Sequence, residues 1–120
     1  MHSARIWGLA ALAGLSGLTF GCGVGNPQML YRQALEEESR GNLLQAQALF
    51  ESAIARDPTY FQALIHSGRL FLRQNRKSEA EDRFRRAAAV SANAPDAVVP
   101  LAELLIERHE LEGAGRLLGP

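Results

Sequence analysis

Between residues 28 and 118, apolar side chains recur at the three- and four-residue spacing of helices that bury one face, with polar residues between. In "LLQAQALFESAIAR" the stripe includes Ala46, Phe50 and Ala53. Asp57-Pro58 and the stretch Asn75 to Ser78 interrupt such runs. The pattern predicts helices at 28–40, 43–56, 60–74, 77–91, 96–109 and 111–118. Asp96 is the expected N-cap of the fifth, which places Pro100 in its first turn. Ala, Leu, Glu, Arg and Gln dominate after residue 27, while Val, Ile and aromatics are few, so the expected class is all-α.

The stripe itself repeats. Ala46, Ala80 and Ala114 are 34 residues apart, as are Phe50, Phe84 and Leu118. The same step joins Ala34, Gly68 and Ala102, then Leu30, Leu64 and Val98, and also Ala53 and Ala87. A period shared by several separate positions marks a stacked helical array.

These residues resemble the tetratricopeptide repeat, a helix pair with small residues where its two helices cross and aromatics filling the gap to the next pair. The resemblance implies a helix-turn-helix solenoid of about two and a half repeats over 28–118. Its first unit carries Leu30, Ala34, Gly41, Ala46, Phe50, Ala53 and Pro58; the second carries Leu64, Gly68, Phe71, Ala80, Phe84 and Ala87. The third carries Val98, Ala102, Leu105, Ala114 and Leu118. Glu37 replaces an aromatic, and Ala92 stands where the first unit has Pro58, so the second junction is expected to be remodelled. The third unit stops within its second helix, so the array is expected to be marginal alone, to be completed by a second copy or a partner, or to belong to a truncated gene product.

The resemblance also implies a ligand groove along the first helices of successive units. Its residues would be Tyr31, Leu35, Ile65, Arg69, Leu72, Arg73, Val99, Glu103 and Ile106. An apolar spine with mixed charge suits an amphipathic helix or extended segment of a partner protein. Coverage of that spine by the chain's own neighbours, or by a second copy in a homodimer, is the alternative. The family's carboxylate clamp for chaperone tails is excluded, because Tyr31, Leu35, His66 and Pro100 stand at the matching places.

The amino-terminal stretch differs in kind. "MHSAR" holds one positive side chain, Arg5, and the fifteen uncharged residues 6–20 follow. As a helix they would reach roughly 22 Å, less than the ~30 Å core of a bilayer. A basic start and a short apolar centre read as a signal peptide, residues 1–21. Leu18-Thr19-Phe20-Gly21-Cys22 then resembles a bacterial lipoprotein signal. That likeness implies a diacylglyceryl thioether on Cys22, cleavage before it and acylation of the new amine. Multiple acyl chains hold a protein stably to a membrane, at about 0.8 kcal/mol per buried methylene. Residues 22–27 become a short tether, and Gly23 points to the outer membrane, facing the periplasm. An uncleaved membrane anchor is the alternative.

Charge and chemistry narrow the function. Thirteen basic side chains balance thirteen acidic ones, so nothing draws the chain to nucleic acid. The run "RLFLRQNRKSEAEDRFRR" is either a patch for anionic headgroups or an ion-paired helix surface. Cys22 is the only cysteine, and His66 and His109 are 43 residues apart. There is no paired-His spacing, Gly elbow or phosphate loop. The expectation is a lipid-anchored scaffold or adaptor of the bacterial envelope, assisting assembly of an envelope complex, with no enzyme activity, cofactor or metal.

Overall fold

A computed structural model describes the backbone of residues 25–118 and side chains up to residue 110. The expected signal segment 1–21 and Cys22 lie outside these residues. Five helices follow one another: α1 Pro27–Ser39, α2 Leu43–Arg56, α3 Phe61–Arg73, α4 Lys77–Val90 and α5 Pro95–Leu118. There is no strand among the described residues.

The chain enters α1 through a local device. Asn26 Oδ1 accepts from the amides of Gln28 at 2.9 Å and Met29 at 3.1 Å, and Pro27 opens the first turn with its φ already fixed. The turn out of α1 then sets the repeat. Gly41 takes a φ of 84°, and the Asn42 amide donates back to the Glu37 carbonyl at 2.9 Å. One step of 34 later, Asn75 takes a φ of 61°, and the Arg76 amide donates to the Phe71 carbonyl at 2.8 Å. Gly and Asn are the residues that enter this left-handed region most readily. Each turn reverses the chain, so α1 packs on α2 and α3 on α4.

The links between units repeat as well. Tyr60 N donates to Asp57 O at 3.0 Å, and Ala94 N to Ser91 O at 3.2 Å. The junction after α4 is therefore not remodelled: this short turn uses backbone groups, so Ala92 in place of Pro58 leaves it intact.

Three expectations change in the third unit. The helices expected at 96–109 and 111–118 form one continuous helix. The turn position there is His109, between Arg108 and Glu110, and good helix formers carry the helix through. Asp96 does not cap α5. The Ala94 carbonyl accepts from Ala97 at 3.1 Å and Val98 at 3.0 Å, so Pro100 lies inside the helix rather than in its first turn. The buried face also rotates by about one residue. Ala97 and Leu104 are buried and Leu101 is half-buried, while Val98 and Ala102, expected inside, are exposed. In α3 the residues one step earlier, Leu64 and Gly68, are wholly enclosed. The reason is the missing reversal: among the described residues no second helix returns over that face of α5.

One core runs through both hairpins and the junction between them. Phe50 and Phe84 are fully buried, surrounded by Ala34, Ala46, Ala53, Ala63, Ala80 and Ala87. At Gly68 a Cβ would stand 2.8 Å from Phe84 Cζ, so the helices approach because that carbon is missing. A polar seam crosses the same junction. Gln47 Nε2 donates to Ser67 Oγ at 2.8 Å, and Gln74 Nε2 donates to Gln47 Oε1 at 2.9 Å. Ser67 Oγ donates to the Glu51 carboxylate, which also receives Arg83 Nε at 3.0 Å. No buried side-chain polar atom among the described residues lacks a partner, as burial demands.

Candidate protein-binding face

The odd-numbered helices lie side by side, and their contacts define the candidate face. His66 of α3, with its proton on Nδ1, donates to Glu38 Oε1 of α1 at 3.2 Å. Arg69 of α3 lies 3.7 Å from Asp96 of α5. Between α1 and α3 sits an aromatic cluster. Tyr31 is 5.2 Å from Tyr60 and 5.7 Å from His66, ring centre to ring centre. His66 stacks on buried Phe50 at 5.0 Å. Both tyrosines of the chain thus meet at one place. Their hydroxyls are held above their ordinary pKa, chiefly by burial; for Tyr31 the neighbouring Tyr60 and Glu38 push the same way.

The expected groove residues divide into three groups. Tyr31, Leu35 and Leu72 are half-buried against the core and keep an edge outward. Arg69, Arg73, Val99, Glu103 and Ile106 are exposed. Ile65 is different: at 1 % exposure it is part of the core and offers nothing to a ligand. Its position in the repeat faces the groove, but in the middle unit helices close over both sides of α3. The apolar spine is therefore broken between Leu35 and Leu72.

Sequence reasoning missed Tyr60, and gave His66 no part in the face. A usable signal was present: Tyr60 and His66 lie 29 and 35 residues after Tyr31, roughly one repeat, the spacing that sets neighbouring first helices side by side.

The arginine-rich run resolves into internal pairs. Arg69 faces Asp96, Arg76 faces Glu79, Lys77 faces Glu107, Arg83 faces Glu51, Arg85 faces Glu81 and Arg86 faces Asp82. Arg76 and Arg83 also lie over the Phe71 ring, at 4.8 and 5.3 Å. Of that run only Arg73, beside Leu72, makes no ion pair among the described residues. Burial alone would raise the Glu51 carboxyl, but hydrogen bonds from Arg83 and Ser67 win and hold it below its ordinary range. Among the described residues there is no cluster of metal-ligating side chains, and no helix is long and apolar enough to cross a membrane.

Two helix hairpins stacked through a shared core, with a further helix added at the same step, define an α-helical repeat protein of the solenoid class. The tetratricopeptide repeat family model matches residues 31–98 and again 67–117, and the chain belongs to that family. No curated protein matches it. It is similar to the crystal structure of a tetratricopeptide repeat domain protein from Salinibacter ruber. They share 30% identity over 73% of this chain and 97% of that one, with a TM-score of 0.52. The solution NMR structure of a tetratricopeptide repeat domain protein from Salinibacter ruber gives 29% identity and a TM-score of 0.53, over 73% of this chain and 88% of that one. The family is a protein-interaction fold, generally without catalytic activity, and its domains bind protein partners.

Proposed function

We propose that this protein is a lipid-anchored adaptor of the bacterial envelope that holds a segment of another protein against the face shared by α1 and α3. The observation that carries the reading is the pairing of half-buried Tyr31, Leu35 and Leu72 with an unpaired cation, Arg73, on that face. Apolar edges beside one free charge suit a partner segment with a few apolar anchors and a carboxylate. The role is binding, not catalysis, and needs no cofactor. Cys22 carries the acyl anchor, the tether 22–27 keeps the repeats close to the membrane, and the outer membrane facing the periplasm is the proposed location.

The test is photo-crosslinking in living cells, with the probe at Leu35, at Leu72, and at exposed Ala48 on α2 as an off-face control. One envelope protein captured from Leu35 and Leu72 alone, and lost with Arg73→Glu, is the expected result. Equal products from all three sites overturn the face. The mass of the mature amino terminus tests the anchor separately: a chain that retains residues 1–21, or an unacylated Cys22, overturns it.

A further inference from the structure

The two edges of the solenoid differ in chemistry. Each turn and each link reverses the chain, so the starts of α1, α3 and α5 and the ends of α2 and α4 share one edge. The opposite edge, at the turns after α1 and α3, carries Glu36, Glu37, Arg40, Arg73, Arg76 and Lys77. The linking edge instead carries Met29 and Val90, each at 43 % exposure, with exposed Pro58, Ala92 and Pro95. Met29 lies in the first turn of α1, where side chains lean toward the helix start and so toward this edge. The carboxylates of the linking edge are engaged. Asp57 Oδ1 accepts from Thr59 N at 3.1 Å and Thr59 Oγ1 at 2.9 Å, and Asp96 lies 3.7 Å from Arg69. Arg32 and Arg56 are exposed and make no ion pair among the described residues.

We propose that, given the acyl anchor on Cys22 on which this inference rests, the linking edge is a membrane-contacting surface seated on the phospholipid headgroups of the anchoring bilayer. Chain length selects the edge. From Cys22 to Asn26 the chain reaches at most about 14 Å, whatever its path. The opposite edge lies about 20 Å further along α1, so it cannot be turned to the bilayer. The length of α5 favours the same orientation. Its 24 residues reach about 36 Å, and the excess over α1 runs out past the turns, away from lipid. The binding face stays open, since residues 35 and 72 stand about 12 and 17 Å above the linking edge along α1 and α3. The tether holds the edge at high effective concentration, so a few weak contacts suffice. Met29 and Val90 enter the interface, and Arg32 and Arg56 meet lipid phosphates.

The experiment uses the acylated mature chain in vesicles of phosphatidylethanolamine and phosphatidylglycerol, with spin labels on the headgroups as quenchers. One added cysteine carries a fluorophore at Met29, Ala92, Ser78 or Ala48, all exposed. Cys22 is the only native cysteine and the thioether consumes its sulfur, so an acylated parent chain takes no label. The expected result is loss of most fluorescence at Met29 and Ala92, and little loss at Ser78 near the turns or at Ala48 on the flank of α2. Val90→Asp, on an exposed site, should restore fluorescence at Ala92 with helical circular dichroism unchanged. Quenching unchanged by Val90→Asp means that the tether alone holds the edge there, and overturns the surface. Strong loss at Ala48 means that the solenoid lies on its side. Equal loss at all four sites, or at none, means that it has no such orientation. Either result overturns the proposal and leaves the anchor standing. A parent chain that takes label at Cys22 overturns the anchor and this surface with it. The Leu35 and Leu72 cross-links are read in separate variants, so failure of the adaptor reading is distinguishable from both.

Discussion

The second and third units use the same positions and bury different ones. Leu64 is fully enclosed, and Val98, one step later, is 39 % exposed. Gly68 lies beneath a phenylalanine ring, while Ala102 faces outward. What separates the two units is a turn. Asn75 accepts a left-handed backbone and sends the chain back over α3; at His109 the helix continues. A repeat's core positions are thus only conditionally core. They are buried when one residue some distance away lets the chain reverse.

The strongest way to break this comparison is to truncate the matching residues. Leu64→Ala should lower the unfolding free energy by about 3 kcal/mol, because it empties space in a closed core. Val98→Ala should cost less than about 0.5 kcal/mol in dilute protein. Urea unfolding of the full chain, followed by helical circular dichroism, reads both. Equal losses would mean that the strip on α5 is covered after all. A Val98→Ala cost that grows with protein concentration would instead sharpen the comparison, by showing that the cover comes from a second molecule.

Next in size is the polar seam at the first junction. Glu51 receives Arg83 and Ser67 between units one and two, whereas residue 85, one step on, is an exposed arginine paired with Glu81. Glu51→Gln removes charge-assisted bonds and should cost about 2 kcal/mol at pH 7. The sign with pH is fixed by the lowered carboxyl. Its stabilisation is fully present above the unfolded carboxylate range, near pH 4.3, and is lost as pH falls through the folded value. The gap between wild type and Glu51→Gln should therefore narrow below about pH 4. A gap independent of pH would assign Glu51 a packing role only.

Smaller again is the effect of adding one carbon at Gly68. Its Cβ would press on buried Phe84, an overpacking cost of about 2 kcal/mol, against a gain of about 1 kcal/mol in helix propensity. Gly68→Ala should therefore lower stability by about 1 kcal/mol in the same unfolding experiment. Stabilisation would show that the phenylalanine shifts freely, and that the fit between α3 and α4 is looser than their spacing implies.

Much of this architecture is legible as a step of 34, since the pattern that buries Ala46, Phe50, Ala80 and Phe84 is written in the chain. The first four helices fall within a residue or two of the expected bounds. The third unit was not legible, because side-chain spacing reports which face is apolar and not whether the chain turns. Ala114 and Leu118 keep the rhythm of a second helix even where the backbone runs straight on. The face between α1 and α3 was legible in part. Tyr31, Leu35 and Leu72 keep an outward edge, but Ile65 sits at an equivalent groove position and is buried, because the middle unit has neighbours on both sides. The His66–Glu38 pair joins different helices, and no local pattern announces it.

The two junctions also differ in what salt should do to them. The first is held by buried side chains and a shielded carboxylate. The second relies more on pairs at the surface: Lys77 with Glu107 at 2.5 Å, Arg69 with Asp96 at 3.7 Å, and Arg108 with Glu81 at 3.0 Å, all three cations about half exposed. Such pairs contribute about 0.2–1 kcal/mol each and are screened when the Debye length falls to about 3 Å in 1 M salt. Glu107→Gln should cost less than about 0.5 kcal/mol, and only at low salt. Amide exchange separates the junctions: 1 M sodium chloride should speed exchange in α5 severalfold while leaving α3 unchanged, in protein dilute enough to be monomeric. If α3 and α5 respond alike, the surface pairs are not what holds α5 to α4. Attachment would then fall to Ala97, Leu101 and Leu104, and the contrast between the two junctions would rest on the apolar contact alone.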